Sequence, residues 1–241
     1  MSGAMKQPDK VTGVILAGGL GTRLRSLVPD KPKVIAEVGG RPFVTYLLDQ
    51  LAEAGLRTIV LCTGYLADKV EDCLGDSYRG MALRYSREES PLGTGGAVRH
   101  ALPMLGSGPS LVVNGDSFCA VDFAKLEEFH FDRGAAATLV LSRMDDARRF
   151  GRVETDHEGR ITRFVEKGVV DGADWVNAGI YLIEPGFVES IPPGVPVSLE
   201  REVFPRWIGN GLYGLRGEGQ LLDIGVPDSY QRANVEFQTH R

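Results

Sequence analysis

Short apolar segments alternate with amphipathic ones along the first half of the chain. Residues 11–17 form a continuous apolar run that ends in glycines, as expected for a buried parallel strand leading into a glycine-rich loop. Pro42 then begins a stretch of apolar side chains at helical spacing, which Gly55 ends. The next apolar run, 58–62, predicts a second strand. This order predicts a right-handed crossover between parallel strands.

The same alternation continues toward the middle of the chain. Further strands are predicted at 83–86 and 110–114, and helices at about 67–74 and 95–105. Because each strand is short and apolar on both sides, the sheet should be covered by helices on both faces.

The pattern changes in the second half, where strands follow one another with few helices between them. The predicted strands lie at 136–142, 152–155, 160–164, 175–183 and 220–224, and a closing helix is predicted at 227–237. We therefore predict an α/β fold with a Rossmann-like, mixed, mostly parallel sheet whose second half is mixed or antiparallel.

The composition favours a single domain in a reducing compartment. A chain of 241 residues that is 43% hydrophobic can form one continuous core, and no linker, low-complexity tract or internal repeat divides it. We predict one domain over 11–241, after a disordered start or tag remnant at 1–10. The three cysteines lack CxxC spacing, so we expect neither disulfides nor a zinc site, and a cytoplasmic protein.

Charge and hydropathy argue against two classes of partner. The net charge of -5 provides no basic field that would bind nucleic acid or anionic lipid. No apolar run reaches the roughly 18 residues that a membrane span requires. We therefore expect small-molecule substrates, no nucleic acid and no membrane, and the sequence leaves open whether the protein forms a homo-oligomer.

The segment 16–24, LAGGLGTRL, joins the first predicted strand to a basic residue. Glycine lets backbone N–H groups approach phosphates, although glycine-rich turns also occur for tight packing alone. A dinucleotide fingerprint does not fit, because Leu24 stands where the third glycine is needed, and a Walker lysine is absent. Arg23 and Lys33 offer donors and charge suited to a triphosphate that loses pyrophosphate.

Two predicted strands are followed by aspartates. The strand at 110–114 leads into Gly115 and Asp116, and the apolar pair 221–222 leads into Asp223. Such aspartates often form turns, but carboxylates at this edge of an α/β sheet also bind ligands. Since magnesium prefers one or two carboxylates plus phosphate oxygens and water, the pair suggests one divalent ion, Mg2+ or alternatively Mn2+.

These motifs resemble the sugar nucleotidyltransferase (pyrophosphorylase) family, whose signature is LAGGxGTRL followed by a Pro-Lys segment. The similarity extends over nearly the whole chain. It implies a nucleotide-diphospho-sugar transferase fold and transfer of a nucleoside monophosphate from a triphosphate to a sugar 1-phosphate, by metal-assisted in-line displacement of pyrophosphate. It also implies catalytic roles for Arg23, Lys33, Lys167 and Asp116, and metal binding by Asp116 and Asp223.

The resemblance further implies a nucleotide site formed by the glycine loop and by segment 87–96, REESPLGTGG. A carboxylate at Glu88 can accept from both N1–H and the 2-amino group of guanine, which favours GTP, although a loop glutamate commonly points to solvent. Thr94 is also a candidate N-cap for the following helix. The implied nucleotide-binding residues are Leu16, Ala17, Gly18, Gly19, Gly21, Thr22, Glu88, Pro91, Gly93 and Thr94.

Two later motifs imply the sugar site. Segment 164–167, FVEK, matches the family's Glu-Lys motif, in which lysine binds the sugar phosphate and glutamate a sugar hydroxyl. Segment 175–181, WVNAGIY, matches its N-x-G-x-Y strand. A plain surface ion pair is the alternative interpretation of the Glu-Lys motif. The implied sugar-binding residues are Gly151, Glu166, Asn177 and Gly179.

Within the family, the short length and the motifs LGTGGA, NGDSF and DIGVPDSY most resemble the guanylyltransferases that act on D-glycero-α-D-manno-heptose 1-phosphate. This resemblance implies guanylyl transfer to that sugar phosphate, for lipopolysaccharide, capsule or another surface glycan. Guanylyl transfer to mannose 1-phosphate, and uridylyl or thymidylyl transfer to another sugar 1-phosphate, are alternatives. A regulatory protein that senses nucleotide sugars without turnover is a further alternative, against which the intact charged motifs argue.

Overall fold

The computed structural model describes residues 3–19, 21, 23–24, 27–148, 150–165 and 173–238. Its strands are β1 Thr12–Leu16, β2 Glu37–Val38, β3 Arg41–Pro42, β4 Thr58–Thr63, β5 Ser77–Tyr78, β6 Met81–Arg87, β7 Ser110–Asn114, β8 Ser117–Cys119, β9 Ala137–Met144, β10 Arg152–Thr155, β11 Ile161–Val165, β12 Asp174–Ile183, β13 Leu212–Arg216 and β14 Leu221–Asp223. Its α-helices are α1 Val44–Glu53, α2 Ala67–Leu74, α3 Gly93–Ala101, α4 Phe123–Asp132, α5 Pro185–Glu189, α6 Phe204–Arg206 and α7 Pro227–Gln238. Single 3-10 turns form at Pro8–Lys10, Lys33–Ile35 and Leu102–Met104, and a π-helical turn forms at Leu199–Val203.

Ten of the described strands form one mixed sheet. Its parallel part has the order β6-β4-β1-β7, in which Val14 of β1 is in register with Val60 and Val112. β12 then pairs antiparallel with both β7 and β9, and β9 pairs parallel with β13. The start of β12 also pairs with β10, which pairs with β11. The predicted α/β fold, mostly parallel first and mixed later, is confirmed.

Helices bury both faces of this sheet. On one face, Ile15 belongs to a hydrophobic cluster that includes Leu48 of α1. On the other, Val14 belongs to a second cluster with Val98 of α3 and Phe204 of α6. Burying each such side chain contributes about 1.5–3 kcal/mol. Because neighbouring residues of β1 face opposite clusters, the strand has buried apolar side chains on both faces, which is why it could be recognised from the sequence.

Helix α4, which lies before the strands predicted from residue 136 onward, was not predicted. Asp122 caps it, since its side chain accepts from the Lys125 N–H at 3.1 Å. The helix buries Phe123, Leu126 and His130 at helical spacing. Mixed charged and apolar residues obscured this period, and the aspartate cap was the signal that could have revealed it.

The beginning of the chain contacts the core. Met5 is buried, and its N–H donates to the Ala54 carbonyl at 3.1 Å. The Gln7 N–H donates to Glu127 Oε1 at 3.0 Å. Residues 3–10 thus have defined contacts, while the division of the chain at residue 10 and the single domain over 11–241 stay predictions. In the described residues, no helix is long and apolar enough to cross a bilayer.

Candidate functional site

The candidate site lies at the carboxyl edge of the parallel strands. β1, β4 and β7 end side by side there, with Leu16 in register with Cys62 and Asn114. The Ala17 N–H donates to the Cys62 carbonyl at 2.8 Å, and the Gly115 N–H donates to the Leu16 carbonyl at 3.0 Å. These bonds hold the glycine loop directly beside the turn after β7, the usual place for a ligand in an α/β sheet.

Lys33 and Asp116 form an ion pair within this site. Lys33 Nζ lies 2.7 Å from Asp116 Oδ2, and the lysine side chain is 11% exposed whereas the aspartate is 43% exposed. Lys33 begins the Lys33–Ile35 turn, whose other residues are buried and anchor its backbone. Gly21 packs against the lysine, since a Cβ there would lie 3.5 Å from the Lys33 Cβ. The glycine loop, the lysine and one aspartate therefore converge.

Asp223 lies late in the sequence, and the turn that follows it is close to the same lysine. β14 pairs antiparallel with β8, which puts Asp223 in register with Ser117, the neighbour of Asp116. Asp223 Oδ1 accepts the Gly225 N–H at 2.7 Å. A Cβ at Gly225 would lie 2.6 Å from Asp223 Oδ1 and 3.1 Å from Lys33 Nζ, so the turn after Asp223 lies close to the end of the lysine side chain.

The two aspartates fit a sparse divalent-cation site. Among the residues described, no group of three or more His, Cys, Asp and Glu side chains could hold a metal. A pair of carboxylates is nevertheless what magnesium uses when substrates and water supply its other ligands. Asp116 and Asp223 are therefore the residues that would hold such an ion.

Glu88 lies across the glycine loop from this charged cluster. Its Oε2 accepts the Leu92 N–H at 2.9 Å, and its Oε1 would lie 3.1 Å from a Cβ at Gly18. Burial raises the pKa of the Glu88 carboxyl, and the hydrogen bond from Leu92 partly opposes that effect. The glutamate that follows, Glu89, is exposed. Glu88 thus does not simply point to solvent, which was the alternative interpretation.

Thr94 does not cap α3, the helix that follows segment 87–92 (the base loop), contrary to the alternative raised from the sequence. Leu92 occupies the N-cap position of α3 and makes no side-chain cap. The Thr94 hydroxyl instead donates to Glu200 Oε2 at 2.7 Å and accepts the Leu199 N–H at 2.9 Å. The first turn of α3 is therefore fastened to the π-helical turn, far along the chain.

Asn177 and Gly179 lie at an irregularity in β12. The register against β9 shifts between Asn177 and Tyr181, and Gly179 has a φ of +76°. A Cβ at Gly179 would lie 2.6 Å from Asn114 Nδ2, so this close approach requires glycine. The Asn177 N–H donates to the Gly151 carbonyl at 3.2 Å. Three predicted sugar-site residues thus meet beside the end of β7.

The arrangement can be compared with known proteins at this point. The model of the family named nucleotidyl transferase matches residues 12–240. The chain belongs to the nucleotidyl transferase family. The resemblance drawn from the sequence is therefore confirmed.

Two relatives of this nucleotidyl transferase have named activities. The chain is 39% identical over 232 residues to mannose-1-phosphate guanylyltransferase of Mycobacterium tuberculosis, covering 95% of this chain and 65% of that protein. It is 34% identical over 226 residues to D-glycero-α-D-manno-heptose 1-phosphate guanylyltransferase of Aneurinibacillus thermoaerophilus, covering 93% and 97%. The chain thus spans slightly less than two thirds of the first relative's length.

A solved structure shares the fold of this nucleotidyl transferase. HddC from Yersinia pseudotuberculosis, crystallised in complex with GMP-PN, has a TM-score of 0.83 and 32% sequence identity. The match covers 94% of this chain and 99% of that one. The predicted nucleotide-diphospho-sugar transferase fold is confirmed.

The remaining predicted site residues differ in how the structure treats them. Thr22, Glu166 and Lys167 lie outside the described residues. Arg23 and Pro91 are exposed. A Cβ at Gly19 or Gly151 would meet nothing within 4 Å among the described atoms. Gly19 therefore borders open space at the glycine loop, and Gly151 borders open space beside β12.

Several polar side chains that lie between β7, β12 and the π-helical turn had no role predicted from the sequence. Asn114 Oδ1 is buried and has no hydrogen-bond partner among the residues described. Tyr181 is fully buried, and Glu200 accepts its hydroxyl at 3.1 Å. The tyrosine was visible in the N-x-G-x-Y motif. Glu200 had no such signal, because it lies in a charged segment that resembles an ordinary surface turn.

Proposed function

We propose that this nucleotidyl transferase moves the guanylyl group of GTP to a sugar 1-phosphate and releases pyrophosphate. The observation that carries the proposal is the convergence of the glycine loop, Lys33 and the two aspartates at one sheet edge. A triphosphate, the charges that neutralise it and a cation must meet at one point for this reaction. The two relatives named as guanylyltransferases support the same chemistry.

The proposed reaction is an in-line displacement at the α-phosphorus of GTP. An oxygen of the sugar phosphate forms the new bond to the α-phosphorus while the bond from that phosphorus to the α,β-bridging oxygen of GTP breaks, and this oxygen leaves with pyrophosphate. Because that nucleophile is already anionic at neutral pH, no general base is required. Arg23 and Lys33 would stabilise the charge that accumulates on pyrophosphate. Lys167 would bind the sugar phosphate, and Glu166 a sugar hydroxyl.

Mg2+ is the proposed cofactor, with Mn2+ as the alternative. When bound by Asp116 and Asp223, the cation would neutralise phosphate charge and polarise the α-phosphate. Asp116 supports this assignment, because its side chain is 43% exposed and Lys33 Nζ contacts it at Oδ2.

The preference for guanine rests on Glu88. Guanine presents two adjacent donors, N1–H and the 2-amino group, whereas uracil and thymine present one. Glu88 has a fixed carboxylate, because the Leu92 N–H holds Oε2 at 2.9 Å and Gly18 leaves room beside Oε1. A second donor from the base would offset the loss of water that burial imposes on this carboxylate.

Among acceptors, D-glycero-α-D-manno-heptose 1-phosphate is favoured and mannose 1-phosphate is the second candidate. The three motifs at 92–97, 114–118 and 223–230, together with the heptose relative, support the former. The higher identity to the mannose relative supports the latter. The favoured product, GDP-heptose, would serve surface-glycan synthesis. The free, mostly buried cysteines support a cytoplasmic location.

Pyrophosphate release tests the proposal directly. GTP, UTP, dTTP, CTP and ATP are each offered with heptose, mannose, glucose and N-acetylglucosamine 1-phosphates, in Mg2+, in Mn2+ and in excess EDTA. We expect release with GTP and the heptose phosphate, a slower reaction with mannose phosphate and none in EDTA. Release with another triphosphate would overturn the guanine assignment. Failure of every pair to release pyrophosphate, with GTP still bound, would favour the regulatory alternative.

A further inference from the structure

Hydroxyl groups from three separate parts of the fold converge on the carboxylate of Glu200. Oε1 accepts from the Tyr181 hydroxyl at 3.1 Å, while Oε2 accepts from Thr94 Oγ1 at 2.7 Å and from Ser198 Oγ at 2.9 Å. An ionised carboxylate is an acceptor only, so each of these hydroxyls donates to it. Hydrogen bonds to a charged acceptor are among the stronger ones in proteins. Glu200 is therefore the centre of a polar network.

One arm of this network leads through Tyr181 to β12, the strand that carries the predicted sugar-binding residues Asn177 and Gly179. Because the buried Tyr181 hydroxyl donates to Glu200, its oxygen is free to accept, and Asn177 Nδ2 donates to it at 2.9 Å. The other end of the amide, Asn177 Oδ1, accepts the Gly179 N–H at 2.9 Å. The direction of donation thus runs from Asn177 through Tyr181 to Glu200, and it fixes which way the Asn177 amide faces.

The second arm leads to the base loop. Thr94 lies in the first turn of α3, directly after the segment that carries Glu88. Its hydroxyl donates to Glu200 and also accepts the Leu199 N–H at 2.9 Å. Two neighbouring residues of the π-helical turn therefore hold one threonine side chain, which fastens the first turn of α3 to the π-helical turn.

The turn that carries Glu200 has an unusual backbone. Leu199–Val203 is π-helical, a form that is rare and is frequently found at functional sites. Ser198 caps the turn by accepting the Arg201 N–H at 3.2 Å. Packing alone would not require a carboxylate here, because apolar residues of similar volume usually stabilise a partly buried position at least as well as a charge. The arrangement indicates a role beyond holding the fold together.

We propose that Glu200 is a positioning residue that couples the sugar and nucleotide sites. Through Tyr181 it orients Asn177, and through Thr94 it holds the start of α3. Its kinetic consequences rest on the proposed function, whereas the network itself is a property of the free protein and can be tested without substrates.

Single-arm variants separate the two effects. Tyr181→Phe should raise KM for the sugar 1-phosphate about tenfold and leave KM for GTP unchanged. Thr94→Val should raise KM for GTP about tenfold and leave KM for the sugar 1-phosphate unchanged. Glu200→Gln should raise both about tenfold, since the amide presents an N–H₂ group to hydroxyls that need an acceptor. Thr94→Ser should restore KM for GTP. A fall in kcat with both KM values unchanged in all variants would overturn the positioning role.

Glu202→Gln is the matched control, because Glu202 lies in the same turn and is exposed, and the one described hydrogen bond of its side chain is from the Ser198 N–H at 3.0 Å. Its KM values should stay within about twofold of the wild type. If Glu200→Gln proves too unstable to assay, Tyr181→Phe and Thr94→Val still test one arm each in folded protein.

Amide hydrogen exchange tests the network without turnover. In the substrate-free protein, Glu200→Gln should speed exchange about tenfold in both 177–181 and 93–96, and Glu202→Gln should leave both segments as in the wild type. Equal exchange in the two variants would overturn the proposal whatever the kinetics. If the wild type releases no pyrophosphate but the exchange difference is present, the proposed function fails and the positioning network stands.

Discussion

At the scale of single residues, Glu88 shows how burial can create selectivity. Burial removes part of the hydration of its carboxylate, which raises the pKa of Glu88. Among the described hydrogen bonds, the Leu92 N–H is the one donor to this carboxylate. A ligand with two donors can supply the missing hydrogen bonds, and a ligand with one donor supplies fewer. Sites built this way discriminate strongly, because the wrong ligand leaves a buried polar group unpaired.

Glu88→Gln should therefore lower kcat/KM for GTP by about 10- to 100-fold, because the amide replaces one acceptor oxygen with a donor that opposes the guanine N–H groups. Use of UTP, measured in parallel by pyrophosphate release, should change much less. Glu89→Gln is the control, since Glu89 is the exposed neighbour, and both activities should persist in it. An equal loss for GTP and UTP in the Glu88 variant would remove this residue from base recognition.

At the scale of elements, the start of α3 packs closely against the backbone of Val197. The Val197 N–H donates to the Leu92 carbonyl at 2.8 Å, and the Val197 carbonyl accepts the Gly95 N–H at 2.9 Å. Gly93 makes this approach feasible, because a Cβ there would lie only 2.6 Å from the Val197 carbonyl oxygen. The glycines of this loop thus have a packing role in addition to any contact with the nucleotide.

Gly93→Ala should destabilise the protein by about 1–3 kcal/mol, because alanine combines a strained φ of +70° with a clash against the Val197 carbonyl. Urea unfolding measures the change. Gly194→Ala separates the two causes, since Gly194 has a φ of +71° but a Cβ there would meet nothing within 4 Å. We expect a smaller loss at Gly194. Equal losses would mean that backbone strain alone, and not the contact with Val197, explains the effect.

Local patterns predicted the parallel strands and the glycine loop, because their periodicity and motif spacing are contained in short segments. The partners of those motifs were not predictable in the same way. Thr94 and Glu200 are 106 positions apart, and the residues between them include strands whose pairing the sequence does not specify. Lys33 and Asp116 were each assigned from a motif, but their contact across 83 positions follows from strand order. Long-range contacts of this kind depend on topology rather than on local sequence.

At the scale of the whole molecule, the closing helix α7 links the segment that carries Asp223 to the hairpin that follows Lys33. α7 begins shortly after Asp223 and reaches back to the β2–β3 hairpin that follows Lys33. There the Tyr230 hydroxyl donates to the Glu37 carbonyl at 2.5 Å, and Asn234 Oδ1 accepts the Gly39 N–H at 3.1 Å. The lysine and the second aspartate are thus held in relation to each other by contacts between the start and the end of the chain.

A buried histidine provides a similar connection deeper in the molecule. His130 of α4 is fully buried, with Nδ1 2.9 Å from Thr138 Oγ1 of β9 and Nε2 3.1 Å from Glu184 Oε1. Burial lowers its pKa below 6.5, and the contact with Glu184 partly opposes this. The folded protein therefore binds the proton less readily than the unfolded chain does. Stability is retained above about pH 6.5 and is lost as the pH falls from there toward the lowered pKa.

The thermal midpoint of the wild type should therefore fall by several degrees between about pH 7.5 and about pH 5.5, and His130→Asn should show a smaller fall because asparagine does not titrate. The variant should also be less stable at the higher pH, since it loses packing around the ring. His157→Asn is the control, because it replaces an exposed histidine by the same residue, and this variant should show the wild-type fall. Differential scanning fluorimetry of the three proteins across this pH range measures the fall of the thermal midpoint. If His130→Asn retains the full wild-type slope, the pH dependence arises from other groups, and His130 contributes to stability through packing and hydrogen bonding alone.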